Sequence, residues 1–284
     1  MARKTTYRKT YSRKPAGRSL LSRVFRGLLL LFFSCLFIGI IYHYRKGLAY
    51  YLGFKSEKVL DEDEVDKHLS DVRNIRVLEN HKGKVVGIDV SEFQGKVDWE
   101  EVEILDEKYP VQFVFIRATA GNDRVDRQFK RNWEGAKENK IMRGAYHYYR
   151  PNENSIEQAD LFIKTVKLQK GDLPPVLDIE KLPKNQPLDS LKKGLKRWLN
   201  KVEKHYQVRP IIYSGERYYS DFLKEEFGDY LFWIANYNFY REKIEDDWLF
   251  WQFTEKASLP GIKHRVDVNI YNGDIEQLQF IAVE

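Results

Sequence analysis

The stretch Pro174–Glu180, PPVLDIE, sets Asp178 and Glu180 two residues apart in a segment that otherwise reads as a buried strand. Val176, Leu177 and Ile179 favour an extended, packed backbone, and prolines suit the first residues of a strand rather than its middle. Residues two apart in a strand face the same side, so the two carboxyls project together, about 6.5–7 Å apart at the backbone. Like charges that close resist double ionisation, and one pKa rises. One carboxyl holding a proton beside one holding a charge can do acid–base work on a leaving oxygen. The tripeptide D-x-E also occurs by chance on solvated edges, so its surroundings decide.

Eight strand-like segments follow one another from Lys84 onward: 84–91, 112–119, 143–149, 174–180, 209–215, 230–236, 248–254 and 264–271. Between the first six lie five stretches with helical spacing, near 97–108, 125–139, 155–169, 188–206 and 216–226. The last three strands are joined by loops too short for helices. This order predicts an α/β fold, an irregular (β/α) barrel of eight strands with about five helices. The polar exceptions in these apolar segments gather at one end of each: Asp89 and Ser91, Arg117, His147 and Tyr149, Asp178 and Glu180, Tyr213, Asn236, Gln252, and Asp267 with Asn269. In such barrels the reacting groups sit at the C-terminal ends of the strands.

The residue types narrow the chemistry. The six histidines show no paired ligand spacing, and the single cysteine, Cys35, lies in an apolar run, so no metal site is expected. There is no G-x-S-x-G turn and no Gly-rich phosphate cradle after a strand, and no cofactor is expected. Carboxylate chemistry among 18 Tyr, 17 Phe and 6 Trp remains. That combination suits glycoside hydrolysis, with one protonated carboxyl for the leaving oxygen and a negative group for the oxocarbenium-like transition state. Tyr148, Tyr149, Tyr213, Trp233 and Trp251 are candidate sugar platforms, with strand alternation sending some inward and some towards the helices. Asn236 and Gln252 are candidate polar contacts.

The segments GIDVSEFQG (87–95), FIRATAG (115–121), GAYHYYR (144–150), PVLDIE (175–180), IIYSG (211–215), WIANY (233–237), WQFT (251–254) and VDVNIYNG (266–273) together resemble glycoside hydrolase family 25, the lysozymes or N-acetylmuramidases. The resemblance runs in order from Lys84 to the C-terminus. It implies Glu180 as general acid and Asp178 as its partner, either nucleophile or orienting carboxylate for the substrate acetamido group. It also implies site roles for Asp89 and Asp267, and peptidoglycan glycan strands as the partner. Where many members have T-E-G after the second strand, this chain has Thr119-Ala120-Gly121, a departure expected to alter substrate subsites. A chitin-type hydrolase on the same barrel, or a peptidoglycan-binding protein without activity, are the alternatives.

The charge is unevenly placed. Residues 1–46 hold eleven Lys/Arg and no acid, leaving 37 basic against 42 acidic residues elsewhere, so no nucleic-acid surface is expected on the folded part. Residues 1–26 read as a basic cytoplasmic tail. The apolar run Gly27–Tyr44 could span about 27 Å as a helix, which suits a transmembrane signal anchor with the N-terminus in the cytoplasm. A cleavable signal peptide, cut near Gly47–Ala49, is the other reading. Residues 45–83 read as a charged stalk and 84–284 as the catalytic barrel, expected to be a monomer outside the cytoplasmic membrane.

Overall fold

The computed structural model describes residues 28–35, 38, 62–105 and 108–284. The expected tail, half of the expected anchor and the early part of the expected stalk lie outside the described residues. Among those described, no helix is long and apolar enough to cross a membrane.

Within the compact unit Asp61–Glu284, eight strands close a barrel. In chain order they are β1 (Val85–Val90), β3 (Tyr109–Ala120), β5 (Met142–Tyr148), β6 (Val176–Asp178), β7 (Ile211–Gly215), β8 (Leu231–Ala235), β9 (Phe250–Leu259) and β10 (Ile262–Tyr271). Neighbours from β1 through β9 pair in parallel. The last strand, β10, runs antiparallel to both β9 and β1 and closes the circle. Two short strands, β2 (Ile104–Leu105) and β4 (Arg124–Val125), pair with β3 outside the circle. All eight expected strands are therefore barrel strands.

Alternation along each strand divides the core in two. Val85, Phe113, Phe115, Val176, Ile211, Tyr213, Trp233, Phe250 and Tyr271 form an interior cluster. Val86, Ile88, Val114, Ile116, Leu177 and Ile179 pack outward with the helices. The interior is aromatic and has no room to spare. A Cβ at Gly87 would lie 2.5 Å from the Phe113 ring, and one at Gly144 would lie 2.5 Å from Phe115. Both glycines exist because rings press on their backbone.

The helices α2 (Phe129–Glu138), α3 (Ser155–Thr165) and α4 (Leu188–Tyr206) cover the outer face. In α4, Leu191, Leu195, Trp198, Leu199 and Val202 form one buried stripe. The stretch expected to be helical at 216–226 is a short helical turn (Glu216–Tyr218) that widens into a π turn (Tyr219–Leu223). The expected helix at 97–108 is not one. Val97, Trp99, Val102 and Leu105 are buried, and their near-helical spacing serves an irregular segment. That segment is held by Asp98 N–H donating to the Gly261 carbonyl (2.9 Å) and Val111 N–H to that of Glu103 (2.9 Å). A C-terminal helix, α5 (Ile275–Phe280), was not expected; its Leu278 joins the interior cluster.

A further helix, α1 (Glu62–Asn80), occupies the second half of the segment expected to be a stalk. Val77 and Leu78 are fully buried against the barrel's outer core. Arg73 donates to the carbonyls of Phe253 on β9 and of Asn238 (3.0 Å). Arg76 pairs with Glu242 at 3.0 Å. The helix is thus part of the same compact unit as the barrel.

Candidate active site

The C-terminal ends of the parallel strands surround a cavity of about 200 Å³ lined by Asp89, Tyr146, Asp178, Glu180, Tyr213, Trp233, Tyr237, Gln252, Glu255 and Asp267. All four carboxyls singled out from the sequence therefore meet in one place. Asp89 is inward on β1, and Asp178 is inward on β6. The strand-like path continues past β6, with Ile179 N–H donating to the Tyr213 carbonyl (3.0 Å), which keeps Glu180 on the side of Asp178. Asp267 reaches the same end although it lies near the middle of β10, because that strand is antiparallel and pairs Asp267 directly with Asp89.

Asp89 is held by two amides. The Trp233 indole N–H can only donate, and it donates to Asn269 Oδ1 (2.7 Å), so the Asn269 amino group must face Asp89 Oδ2 (2.8 Å). The Tyr213 hydroxyl donates to Gln252 Oε1 (2.7 Å), joined there by Tyr237, and the Gln252 amino group likewise faces Asp89 Oδ2 (2.8 Å). Burial pushes the Asp89 carboxyl up to about 6, against the pull of these donors. Asp267 is pushed further, to about 9, first by burial and then by the charge of Asp89. The two acids are unequal: Asp267 keeps the proton that lets Asp89 ionise.

Asp178 and Glu180 form a second unequal pair. Burial raises both, and each feels neighbouring acids: Glu180 and Asp89 act on Asp178, and Asp89 acts on Glu180. Lys181 partly offsets this at Glu180. Asp178 Oδ1 is buried and has no hydrogen-bond partner. An orphaned carboxylate oxygen in a cavity wall is costly unless a ligand donates to it.

The expected platforms divide by strand parity. Tyr213 and Trp233 line the cavity, as does Gln252. Tyr149 and Trp251 do not; both are buried in the outer core. Trp251 packs at 5.8 Å on His81 and donates to the Asn236 carbonyl (2.9 Å), and Tyr149 lies beside Gly194 of α4. Asn236 is bonded to Glu216 and to the Asn238 backbone N–H (2.8 Å), a loop-building role. Tyr148 sits at the rim with the Lys181 ammonium 5.6 Å from its ring, outside the cavity lining. His147 faces outward, stacked on Trp198 at 5.4 Å and bonded to Thr119 Oγ1 (2.7 Å), and burial lowers its pKa to about 3. Arg117 is tied to Asp126 (2.9 Å) and Glu92 (3.0 Å). Tyr146, Tyr237 and Glu255 were missed. Tyr146 could have been found, since it shares the parity of Tyr148 on β5.

The family model described as Glycosyl hydrolases family 25 matches residues 88–262. The Escherichia coli K12 protein YegX is 42% identical over 197 residues, 68% of this chain and 71% of that protein. Lysozyme M1 of Streptomyces globisporus is 30% identical over 213 residues, covering 70% of this chain and 71% of its own length. A family 25 glycosyl hydrolase from Bacillus anthracis superposes with a TM-score of 0.64 at 29% identity, over 71% of this chain and 95% of that one. The carboxyl-lined barrel and these likenesses agree: the chain belongs to glycosyl hydrolases family 25 and is a glycosidase.

Proposed function

We propose that the chain is a muramidase that cuts the β-1,4 bond between N-acetylmuramic acid and N-acetylglucosamine in peptidoglycan. Glu180 is the general acid, its raised pKa keeping a proton available for the leaving oxygen. Asp178, pushed well up by burial and by the charges of Glu180 and Asp89, becomes the charged partner only once a ligand donates to it. The observation that carries the reading is the buried, unpartnered Oδ1 of Asp178 beside it. A 2-acetamido N–H donating to that oxygen would satisfy it and hold Asp178 as the charged member of the pair. The acetamido oxygen is then turned towards the anomeric carbon. Attack by that oxygen, as the proton passes from Glu180 to the leaving sugar, gives a cyclic intermediate that water opens with retention. Asp89, fixed by Asn269 and Gln252, and the protonated Asp267 hold the far wall. The likeness to Lysozyme M1 supports the same activity.

Two measurements test it. Digested peptidoglycan, reduced with borohydride and hydrolysed, should yield muramitol; glucosaminitol would make the chain a glucosaminidase, and no new reducing ends would refute hydrolysis. Glu180→Gln should keep the fold and lower kcat by about 10²–10⁴, the worth of a positioned general acid. Near-wild-type turnover would assign the proton to another group. The basic N-terminus and apolar run support a second part of the proposal, that residues 27–44 anchor the enzyme with its barrel outside the cytoplasmic membrane.

A further inference from the structure

The cavity is small for a polymer. At about 200 Å³ it falls below the roughly 300–1,000 Å³ that encloses a drug-sized ligand, so a glycan strand must continue across the surface outside it. One wall residue leads outward. Tyr237 lines the cavity and bonds Gln252 through its hydroxyl, yet 43% of the residue is exposed. Two and three residues on, Phe239 and Tyr240 are 44% and 74% exposed, with their rings edge to face at 5.7 Å.

Such exposure would be unremarkable on a loose loop, but this loop is pinned. Asn238 N–H donates to Asn236 Oδ1 (2.8 Å), and Tyr240 N–H donates to Asn238 Oδ1 (3.0 Å). The Asn238 carbonyl accepts from the Arg241 N–H (3.0 Å) and from Arg73 of α1 (3.0 Å). Arg241 in turn pairs with Glu216 (2.7 Å) and lies 4.9 Å over Trp248. Aromatic area held out in water by a rigid loop, contiguous with a binding cavity, marks an interaction surface. Flat apolar rings with a phenolic hydroxyl suit pyranose faces, which present axial C–H groups and equatorial hydroxyls. The buttress on this loop comes from α1, which lies outside the residues matched to the family.

We propose that Tyr237, Phe239 and Tyr240 form a glycan-binding track, stiffened by α1, that holds the peptidoglycan strand beyond the cleaved bond. The track rests on the reading of the cavity as a muramidase site, and its test reads binding rather than cleavage. The full chain carrying Glu180→Gln is cosedimented with insoluble peptidoglycan, alone and with Phe239→Ala/Tyr240→Ala. The double change should raise the apparent Kd about tenfold or more, as for loss of clustered aromatic anchors. Phe280→Ala, an exposed aromatic on α5, should leave it unchanged. Equal binding with and without Phe239 and Tyr240, or no sedimentation by the Glu180→Gln chain, overturns the track even if the wild type releases muramic-acid ends. A loss of binding in an enzyme that releases none keeps the track and sinks the muramidase reading. If the double change instead abolishes self-association on gel filtration, or vesicle binding, with peptidoglycan affinity intact, the surface belongs to another partner and the proposal fails.

Discussion

At Asp89, two amide donors and the burial of the carboxyl pull in opposite directions, and the result near 6 leaves the group ionisable at neutral pH, with Asp267 helping by taking the proton. That arrangement has a stability consequence. A carboxyl whose pKa rises on folding stabilises the fold fully below its ordinary 3.8, and that contribution drains away as pH climbs towards about 9. Asp267→Asn removes the dependence while keeping a donor for Asp89. The melting temperature of the variant should therefore exceed that of wild type by a margin that widens from pH 4 to pH 9, to on the order of 10 °C. Thermal melts across that range check it; parallel curves would mean Asp267 does not hold the proton. Residue types made the four acids easy to find. The choice among aromatics needed parity: Gln252 and Trp251 are neighbours on β9 and cannot both face the cavity, and the same holds for Tyr148 at the end of β5 and Tyr149 just after it. Glu255 sits in β9 where its register with β10 breaks between Thr254 and Ala257, and Tyr237 lies past the end of β8, so alternation has no purchase at either.

At the scale of elements, the eight strands and α4 were legible because their apolar runs repeat at the strand and helix periods. The segment at 97–108 was not, because its buried residues answer to the β9–β10 hairpin rather than to their own backbone. The docking of α1 was hidden for a related reason. Its sequence is nearly half charged, and its hold on the barrel comes from a few contacts, among them Arg73, Val77, Leu78 and the adjoining His81. His81 marks this junction as acid-sensitive. Its Nδ1–H donates to the Val77 carbonyl (2.7 Å), and its Nε2 accepts from the Ile244 N–H (3.2 Å), so the ring is neutral and fully engaged. Burial lowers its pKa from 6.5, with Lys84 and Lys243 adding to the effect. A depressed base stabilises above its ordinary pKa and withdraws that support as pH falls. Amide exchange in residues 69–80 should accelerate between pH 7 and pH 5 relative to the barrel strands. His81→Gln should flatten that difference, and an unchanged pH response in the variant would place the sensitivity elsewhere.

For the whole molecule, the proposed anchor and the barrel divide the charge. The basic residues of the first 46 positions account for the net +6, while the remainder is acidic, 37 basic against 42 acidic residues. An acidic barrel on a membrane-held chain should remain membrane-bound through a high-salt wash and leave only with detergent or proteolysis, since salt screens charge and does not extract an apolar span. Release by salt alone would refute the anchor. The barrel itself imposes an order of events. Asp89 meets its partner Asn269 across 180 residues of sequence, and that meeting is the seam where β10 closes on β1. The first strand supplies one wall of the cavity and the last strand supplies the other. A growing polypeptide thus possesses no complete catalytic centre until β10 has been made, and a chain cut short before β10 would be an open sheet with its acids splayed apart.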